Sequence, residues 1–172
     1  MFELDETKSI DGPASDVWAV LIDFANVPLW EDGVLEVRQT SGGRAALGTT
    51  FVARRVFGGR ESNVDCRIIE WQDGRSVTME IAGGPVRRAS ARYVIEPTGD
   101  RTCRVMYSIQ GELQPRLTWL SPLIPFMGRR LVRSNLVRLE RLVQSGASAG
   151  SSERDHTALE TGAQDATDPG SP

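Results

Sequence analysis

The chain has 172 residues, of which 40% are hydrophobic and 25% charged, as in an ordinary globular protein long enough for one domain and an additional segment. Its formal net charge is −3, and five acidic residues against one arginine beyond residue 145 leave the preceding part near +1. This near-neutral charge argues against a general nucleic-acid binder, which needs a basic face, so we expect no nucleic-acid partner.

The first predicted elements are a strand and two short helices. Weak alternation over Phe2–Ile10 indicates a strand, and since no basic or apolar leader segment precedes it we expect no secretory signal. A proline then suits a first helical turn, and apolar residues recur at helical spacing through Ala14–Phe24. The sequence FANVPLW closes this helix, and its Pro28 starts a second helical turn that contains Trp30. Trp30 is either a plug of the core or a wall of a pocket.

Six further strands are predicted, and tight turns separate most of them. Gly58-Gly59 between two of the strands is a candidate hairpin turn. Strands joined in this way form an antiparallel meander, so we expect a sheet of about seven strands in all. The six strands are Val34–Gln39, Thr49–Phe57, Arg60–Trp71, Val77–Ile81, Arg87–Glu96 and Thr102–Leu113.

A long amphipathic helix is predicted at Met127–Gln144, with Gly146 as its C-terminal stop. Residues 146–172 are rich in Gly, Ala, Ser, Thr and Asp and contain no aromatic residue. Such a segment buries too little apolar surface to offset the entropy of ordering, so we expect a disordered acidic tail. The expected division is therefore a ligand-binding domain of residues 1–145 and a tail of residues 146–172.

This order of elements implies an α+β fold in which a curved antiparallel sheet wraps around the long C-terminal helix, with a cavity between them where the grip is loose. The element order, the stretches Pro13–Trp30 and Tyr93–Glu112 and the arginine-rich last helix resemble the START-related superfamily (SRPBCC, polyketide cyclase/dehydrase and lipid-transport-like proteins). The resemblance covers roughly residues 2–144. It implies a helix-grip fold with an apolar pocket, in which members bind lipids, polyketides, quinones, sterols or plant hormones.

Several kinds of chemistry lack the residues that they need. The only histidine is His156, in the expected tail, so the domain has no histidine base for a serine or cysteine nucleophile. Cys66 and Cys103 lie far apart and fall short of a zinc ligand set, so we expect no metal and two reduced thiols. No phosphate-binding glycine motif occurs, and no cofactor is expected. With no apolar run of about 18 residues to span a membrane, we expect a cytoplasmic protein.

Alternation along the predicted strands assigns one phase to the interior, and Arg55 is the charged residue in that phase. The phase has slipped, or Arg55 lies beyond the sheet edge and is solvated, or Arg55 binds a carboxylate, phosphate or enolate oxygen of a ligand. Tyr93 and Tyr107 either donate hydrogen bonds to a ligand carbonyl or are core residues with hydroxyls at the rim. These three residues are the candidates for catalysis.

Small side chains in the same phase leave room that either the helix or a ligand fills: Ala53, Ala89 and Ala91. The candidate ligand-binding residues are Trp30, Phe51, Arg55, Cys66, Met79, Tyr93, Tyr107, Trp119 and Phe126. The last two belong to residues 115–127, PRLTWLSPLIPFM, which are too apolar for an ordinary loop. This segment is a lid, a membrane-touching patch with the arginines that follow, or a helix start packed on the sheet edge.

Three functions remain open. The first is binding of a hydrophobic polyketide-, lipid- or quinone-like molecule between sheet and helix. The second is a polyketide cyclase or dehydratase, in which Arg55 with Tyr93 or Tyr107 polarises a carbonyl. The third is quinone or lipid handling beside a membrane. A fold resemblance supports binding more than any reaction, so enzymatic activity is left undecided. A monomer or weak dimer is compatible with the sequence.

Overall fold

The computed structural model of the chain describes residues 1–161. Within these residues seven strands occur: β1 (Phe2–Asp11), β2 (Val34–Gln39), β3 (Thr50–Phe57), β4 (Arg60–Gln72), β5 (Ser76–Gly83), β6 (Val86–Gly99) and β7 (Thr102–Leu113). They form one antiparallel sheet in the order β1-β7-β6-β5-β4-β3-β2. The same part of the chain contains α1 (Ala14–Ile22), α2 (Val27–Trp30) and α3 (Ile124–Thr161), with 3₁₀ segments at Phe24–Asn26 and Pro115–Leu123. The expected α+β helix-grip fold is confirmed.

Tight turns explain why the sheet follows the chain from β2 to β7. At the β3–β4 turn, Gly58 and Gly59 adopt φ angles of +57° and +77°. A two-residue type I′ hairpin needs positive φ at both central positions, which glycine adopts without steric cost. The hairpin predicted at Gly58-Gly59 is therefore confirmed.

The pairing register shows which turns lie at each end of the sheet. The strands β3, β5 and β7 all run toward the end that holds the β3–β4 turn, and β1 begins there because Phe2 pairs with Gly111. We call this the β3–β4 end, and we call the opposite one, which holds residues 40–49 between β2 and β3, the β2–β3 end. The most tightly buried core lies between α3 and the sheet toward the β2–β3 end and includes Ile10, Ile68, Ile95, Cys103, Leu139 and Val143.

The side chains in the predicted inward phases are mostly buried. Along β3, Phe51 and Ala53 are buried and Arg55 is half-buried, so the phase of this strand has not slipped. Phe57, the next residue in that phase, is 50% exposed because it lies at the last position before the β3–β4 turn. The other buried members of these phases include Val64, Ile68, Val77, Ile81, Ala89, Ala91, Tyr93, Ile95, Cys103 and Val105.

The C-terminal helix is longer than the sequence analysis predicts. It begins at Ile124 rather than Met127 and continues past Gln144 to Thr161, so the predicted stop at Gly146 is wrong. Gly146 does not adopt the positive φ of a glycine cap, and the alanines that follow favour helix. Helix α3 thus includes residues 146–161, the first part of the expected tail, while residues 162–172 lie outside the described residues. The division into a domain of residues 1–145 and an acidic tail stays a prediction.

The connection from β7 to α3 is the 3₁₀ segment Pro115–Leu123. Its Leu117 and Leu120 pack against a small core cluster that includes Leu113, as expected for a helix start packed on the sheet. By contrast, Trp119 is 69% exposed and Phe126, in the first turn of α3, is 85% exposed. The segment therefore has a packed side and an apolar side that faces solvent.

Candidate functional site

A cavity of about 230 Å³ lies between the sheet and α3, on the β3–β4 side of the tightly packed core. All seven strands and the three α-helices contribute side chains to its wall. Most of these side chains are aliphatic or aromatic. The polar groups among them are the side chains of Glu31, Arg55, Cys66, Tyr93, Tyr107 and Asn135.

The structure places seven of the nine predicted ligand-binding residues in the cavity wall: Trp30, Phe51, Arg55, Cys66, Met79, Tyr93 and Tyr107. They come together because the inward phases of β3 to β7 converge under α3, and Trp30 closes one side from α2. Trp119 and Phe126 are not part of this wall, because the 3₁₀ segment and the first turn of α3 expose them to solvent. That the seven wall residues contact a ligand stays a prediction.

Arg55 forms a salt bridge and hydrogen bond with Glu31, the residue that directly follows α2. The backbone N–H of Glu31 donates to the carbonyl of Val27 at 2.8 Å, which fixes the end of α2 over the cavity. On the other side, Arg55 is held in register on β3 between Val34 of β2 and Ser62 of β4. The pair therefore places one positive and one negative charge against a largely apolar cavity.

The pair sets the electrostatics of the two tyrosines. Burial raises the pKa of Tyr93 and of Tyr107, and the nearby Glu31 carboxylate raises both further. Burial by itself would lower the pKa of Arg55, but the charge of Glu31 outweighs this together with smaller effects, and the pKa of Arg55 is raised. At neutral pH the site thus contains a charged guanidinium and two protonated phenols.

Three hydrogen-bond donors of the wall lack a protein acceptor within residues 1–161. The Nε1 of Trp30 is buried without a partner, and neither the Tyr93 nor the Tyr107 hydroxyl forms a hydrogen bond there. The three rings are neighbours, since Trp30 and Tyr93 lie 6.2 Å apart edge to face and Tyr93 and Tyr107 lie 4.7 Å apart. Unpaired donors in an apolar cavity suit a ligand that carries an acceptor oxygen.

Two polar residues of the site escaped the sequence analysis. Glu31 stands directly after Trp30, a predicted pocket residue, and this adjacency was the available signal. Asn135 is a buried polar residue next to Leu136 in the apolar stripe of α3. Its Oδ1 accepts the backbone N–H of Asp32 at 3.1 Å, so it ties α3 to the same loop that carries Glu31.

Cys66 is expected to be a poor nucleophile. Burial raises the pKa of its thiol from the ordinary 9.0 to about 12, although Arg55 partly counteracts this. Since the folded protein holds this proton more tightly than the unfolded chain does, the contribution of Cys66 to stability is lost as pH rises from about 9 toward 12. In a Cys103→Ala variant at pH 8, we expect iodoacetamide to alkylate Cys66 at least about tenfold more slowly in the folded protein than in the same protein unfolded in urea. Equal rates, followed by mass spectrometry, would contradict the assignment.

Within residues 1–161 the structure shows no cluster of three or more His, Cys, Asp or Glu side chains arranged to hold a metal ion. No helix in this part of the chain is both long and apolar enough to cross a membrane. The candidate site is the cavity between the sheet and α3, with its charged pair and its aromatic donors.

Solved structures with this fold include proteins of several kinds. A START superfamily protein from Mycobacterium smegmatis superposes with a TM-score of 0.74 at 13% identity, over 84% of this chain and 99% of that one. The di-domain ARO/CYC protein BexL from the BE-7585A biosynthetic pathway gives 0.64 at 20% identity, over 84% of this chain and 47% of its own. A norcoclaurine synthase point mutant from Thalictrum flavum, bound to a transition state analogue, gives 0.63 at 15% identity, over 84% and 95%.

At such low identities these likenesses show the fold alone, and no curated protein matches the chain. The sequence itself is more specific. Residues 1–144, from the start of the chain to the end of the helix segment that packs on the sheet, match the model of a single family. The chain therefore belongs to the polyketide cyclase/dehydrase and lipid transport family.

Proposed function

We propose that the cavity binds an uncharged, largely apolar small molecule whose oxygen-bearing end lies against Arg55, Tyr93 and Tyr107. The observation that carries this proposal is the contrast between an apolar wall and unpaired donors on one side of it. A ligand oxygen would accept hydrogen bonds from the Tyr93 and Tyr107 hydroxyls, which have no acceptor among the side chains and backbone that the structure describes.

The charge balance of the wall favours a neutral ligand. Glu31 already neutralises Arg55, so a ligand carboxylate would have to displace Glu31 or lie beside it. Like charges brought together in an apolar site are costly, which disfavours an acidic ligand. The cavity volume of about 230 Å³ is slightly below the roughly 300–1,000 Å³ of typical small-molecule pockets. A small ligand therefore fits this cavity without rearrangement.

The first test compares two probes that share a ring system, 2-naphthol and 2-naphthoate, by isothermal titration calorimetry. We expect the neutral naphthol to bind at least about tenfold more tightly than the anionic naphthoate, because only naphthoate brings a second negative charge toward Glu31. Equal affinity, or tighter binding of naphthoate, would contradict the proposed ligand class. Native mass spectrometry of protein purified from cells then shows whether a neutral hydrophobic molecule is retained.

A cavity-filling variant tests the location of binding. Ala91 is 2% exposed and lines the cavity from β6, so Ala91→Leu adds three carbon atoms to the space that the ligand needs. We expect naphthol affinity to fall by about tenfold or more, since the lost space excludes part of the ring system. The matched control is Ala82→Leu, on the opposite face of β5, which should leave affinity unchanged. Equal affinities of the two variants would place binding elsewhere.

A second candidate function is catalysis, a cyclase or dehydratase reaction on a polyketide-like substrate. The observation that favours it is the Glu31 carboxylate, which is half-buried beside two protonated phenols and a guanidinium. In this arrangement Arg55 and the tyrosines polarise a carbonyl while Glu31 accepts a proton from the adjacent carbon. Incubation with a linear poly-β-ketone analogue tests it by chromatography: dehydrated or cyclised product must form with the wild type and fail to form with Glu31→Gln.

A further inference from the structure

One apolar and basic surface of the protein lies outside the cavity. Four exposed side chains form its apolar part: Trp119, Leu123, Phe126 and Met127, which are 69%, 47%, 85% and 68% exposed. Phe126 and Met127 share a surface groove with Arg129, Arg130 and Arg133 of α3, and the 3₁₀ segment that carries Trp119 and Leu123 leads directly into the first turn of this helix. We call these four residues, with Arg116, Arg129, Arg130 and Arg133, the basic apolar patch.

The charge of this patch is strongly one-sided. No acidic residue occurs in the sequence between Glu112 and Glu140, the stretch that contains all of the patch. Arg129 and Arg133 share a single carboxylate, that of buried Glu6, at 3.9 and 2.9 Å, and both remain mostly exposed. Arg116 and Arg130 form no ion pair with the side chains that the structure describes, those of residues 1–146 apart from 121, 124 and 125. Exposed aromatic groups beside uncompensated guanidinium groups are complementary to an anionic, apolar partner.

The patch and the cavity share the first turns of α3. Gly128, Leu131 and Val132 line the cavity, while Phe126, Met127 and Arg130 of the same turns belong to the patch. The patch also lies at the β3–β4 end of the sheet, since β7 runs toward that end and the 3₁₀ segment follows it. A surface that covered the patch would therefore lie beside the cavity.

We propose that the basic apolar patch docks on the surface of anionic phospholipid bilayers. Trp119, Phe126 and Met127 enter the headgroup region, where amphipathic and apolar side chains lower the free energy of peripheral binding. The four arginines then lie at the level of the lipid phosphates, where the guanidinium geometry supports paired hydrogen bonds. Docking in this orientation brings the cavity next to a source of, or destination for, hydrophobic molecules.

The experiment is co-sedimentation of the full chain with sucrose-loaded vesicles, either of phosphatidylcholine alone or of phosphatidylcholine and phosphatidylglycerol in equal parts. We expect binding to the mixed vesicles to exceed binding to the neutral ones by at least about tenfold and to weaken as salt is added. The Trp119→Ala/Phe126→Ala variant and the Arg116→Ala/Arg130→Ala variant should each lose about tenfold in affinity, and circular dichroism verifies their folding. Trp119 fluorescence should shift to the blue on docking, because the exposed indole leaves water.

The matched control is Arg44→Ala/Leu47→Ala, which removes an exposed arginine and an exposed leucine at the β2–β3 end and should bind like the wild type. The cavity variant Ala91→Leu should also dock normally, so failure of docking and failure of ligand binding are separate results. Equal binding to both vesicle types overturns the proposal. Gel filtration tests the alternative that the patch binds a second copy of the chain. If the wild type is a dimer and the Trp119→Ala/Phe126→Ala variant is a monomer, the patch is a dimer interface and the membrane proposal is also overturned.

Discussion

Truncating Trp30 to alanine is expected to lower the free energy of unfolding by about 3–5 kcal/mol, the range for deletion of a buried tryptophan side chain. Trp30 is 2% exposed and packs edge to face on Tyr93. Because it also lines the cavity, its removal merges the new void with existing space, and the surrounding side chains cannot refill both. Urea denaturation followed by circular dichroism measures the loss.

The matched control for this prediction is Trp119→Ala. This variant removes the same side chain from a position that is 69% exposed, so the free energy of unfolding should change by about 0.5 kcal/mol or less. A Trp30→Phe variant separates packing from the unpaired indole nitrogen. Its free energy of unfolding should fall much less than that of Trp30→Ala, because the Nε1–H that it removes has no acceptor within residues 1–161. Similar losses for Trp30→Ala and Trp119→Ala would show that Trp30 does not support the core.

Replacing Glu31 by alanine is expected to destabilise the protein and to impair naphthol binding. The change leaves the Arg55 guanidinium at the cavity without its carboxylate. Breaking a fully buried pair costs about 3–5 kcal/mol, and partial exposure of both side chains, 31% and 21%, reduces the expected loss to about 2 kcal/mol because solvent screens the remaining charge. Ligand specificity should shift as well, since naphthoate can now occupy the place of the lost carboxylate.

The neighbouring strand position supplies the control. Arg54 pairs with Glu61 at 3.2 Å on the outer face of the sheet, where both side chains are about half exposed. Glu61→Ala should therefore cost no more than about 1 kcal/mol and leave the naphthol preference intact. A double variant that replaces both cavity charges by apolar groups, Glu31→Leu/Arg55→Met, should recover part of the stability lost in Glu31→Ala. If Glu31→Ala and Glu61→Ala lower the free energy of unfolding by the same amount, the pair at the cavity contributes no more to stability than a surface pair.

Most of the fold was predictable from local signals. Glycine turns such as Gly58-Gly59 fix where strands end, and the alternation of apolar residues then decides which side of each strand faces the helix. These signals are independent of tertiary contacts, so they survive in a single sequence. The end of α3 was not predictable in this way, because Gly146 permits a helix stop without requiring one.

The candidate site was predictable at most of its strand positions and at Trp30 of α2. Arg55 was visible because it interrupts an apolar phase, and Tyr93 and Tyr107 share the phases of their strands. Glu31 lies just outside a short helix, where no periodicity assigns a direction to its side chain, so its pairing with Arg55 depends on tertiary structure. Trp119 and Phe126 show the opposite problem: their apolarity suggested the cavity, but the 3₁₀ segment and the first turn of α3 leave them exposed. Hydrophobicity alone does not distinguish a wall residue from a docking residue.

The separation between the packed core and the cavity has a consequence for how this protein can diverge. Single elements contribute to both regions: β1 supplies Ile10 to the core and Leu4 to the cavity, and α3 supplies Leu139 and Leu131 in the same way. Substitutions should be tolerated unequally along one strand or helix, least near the β2–β3 end and more readily near the β3–β4 end, except at wall residues such as Trp30 that also belong to the core. A gene duplicate could thus acquire a new ligand by changes in one half of each element while the other half preserves the fold.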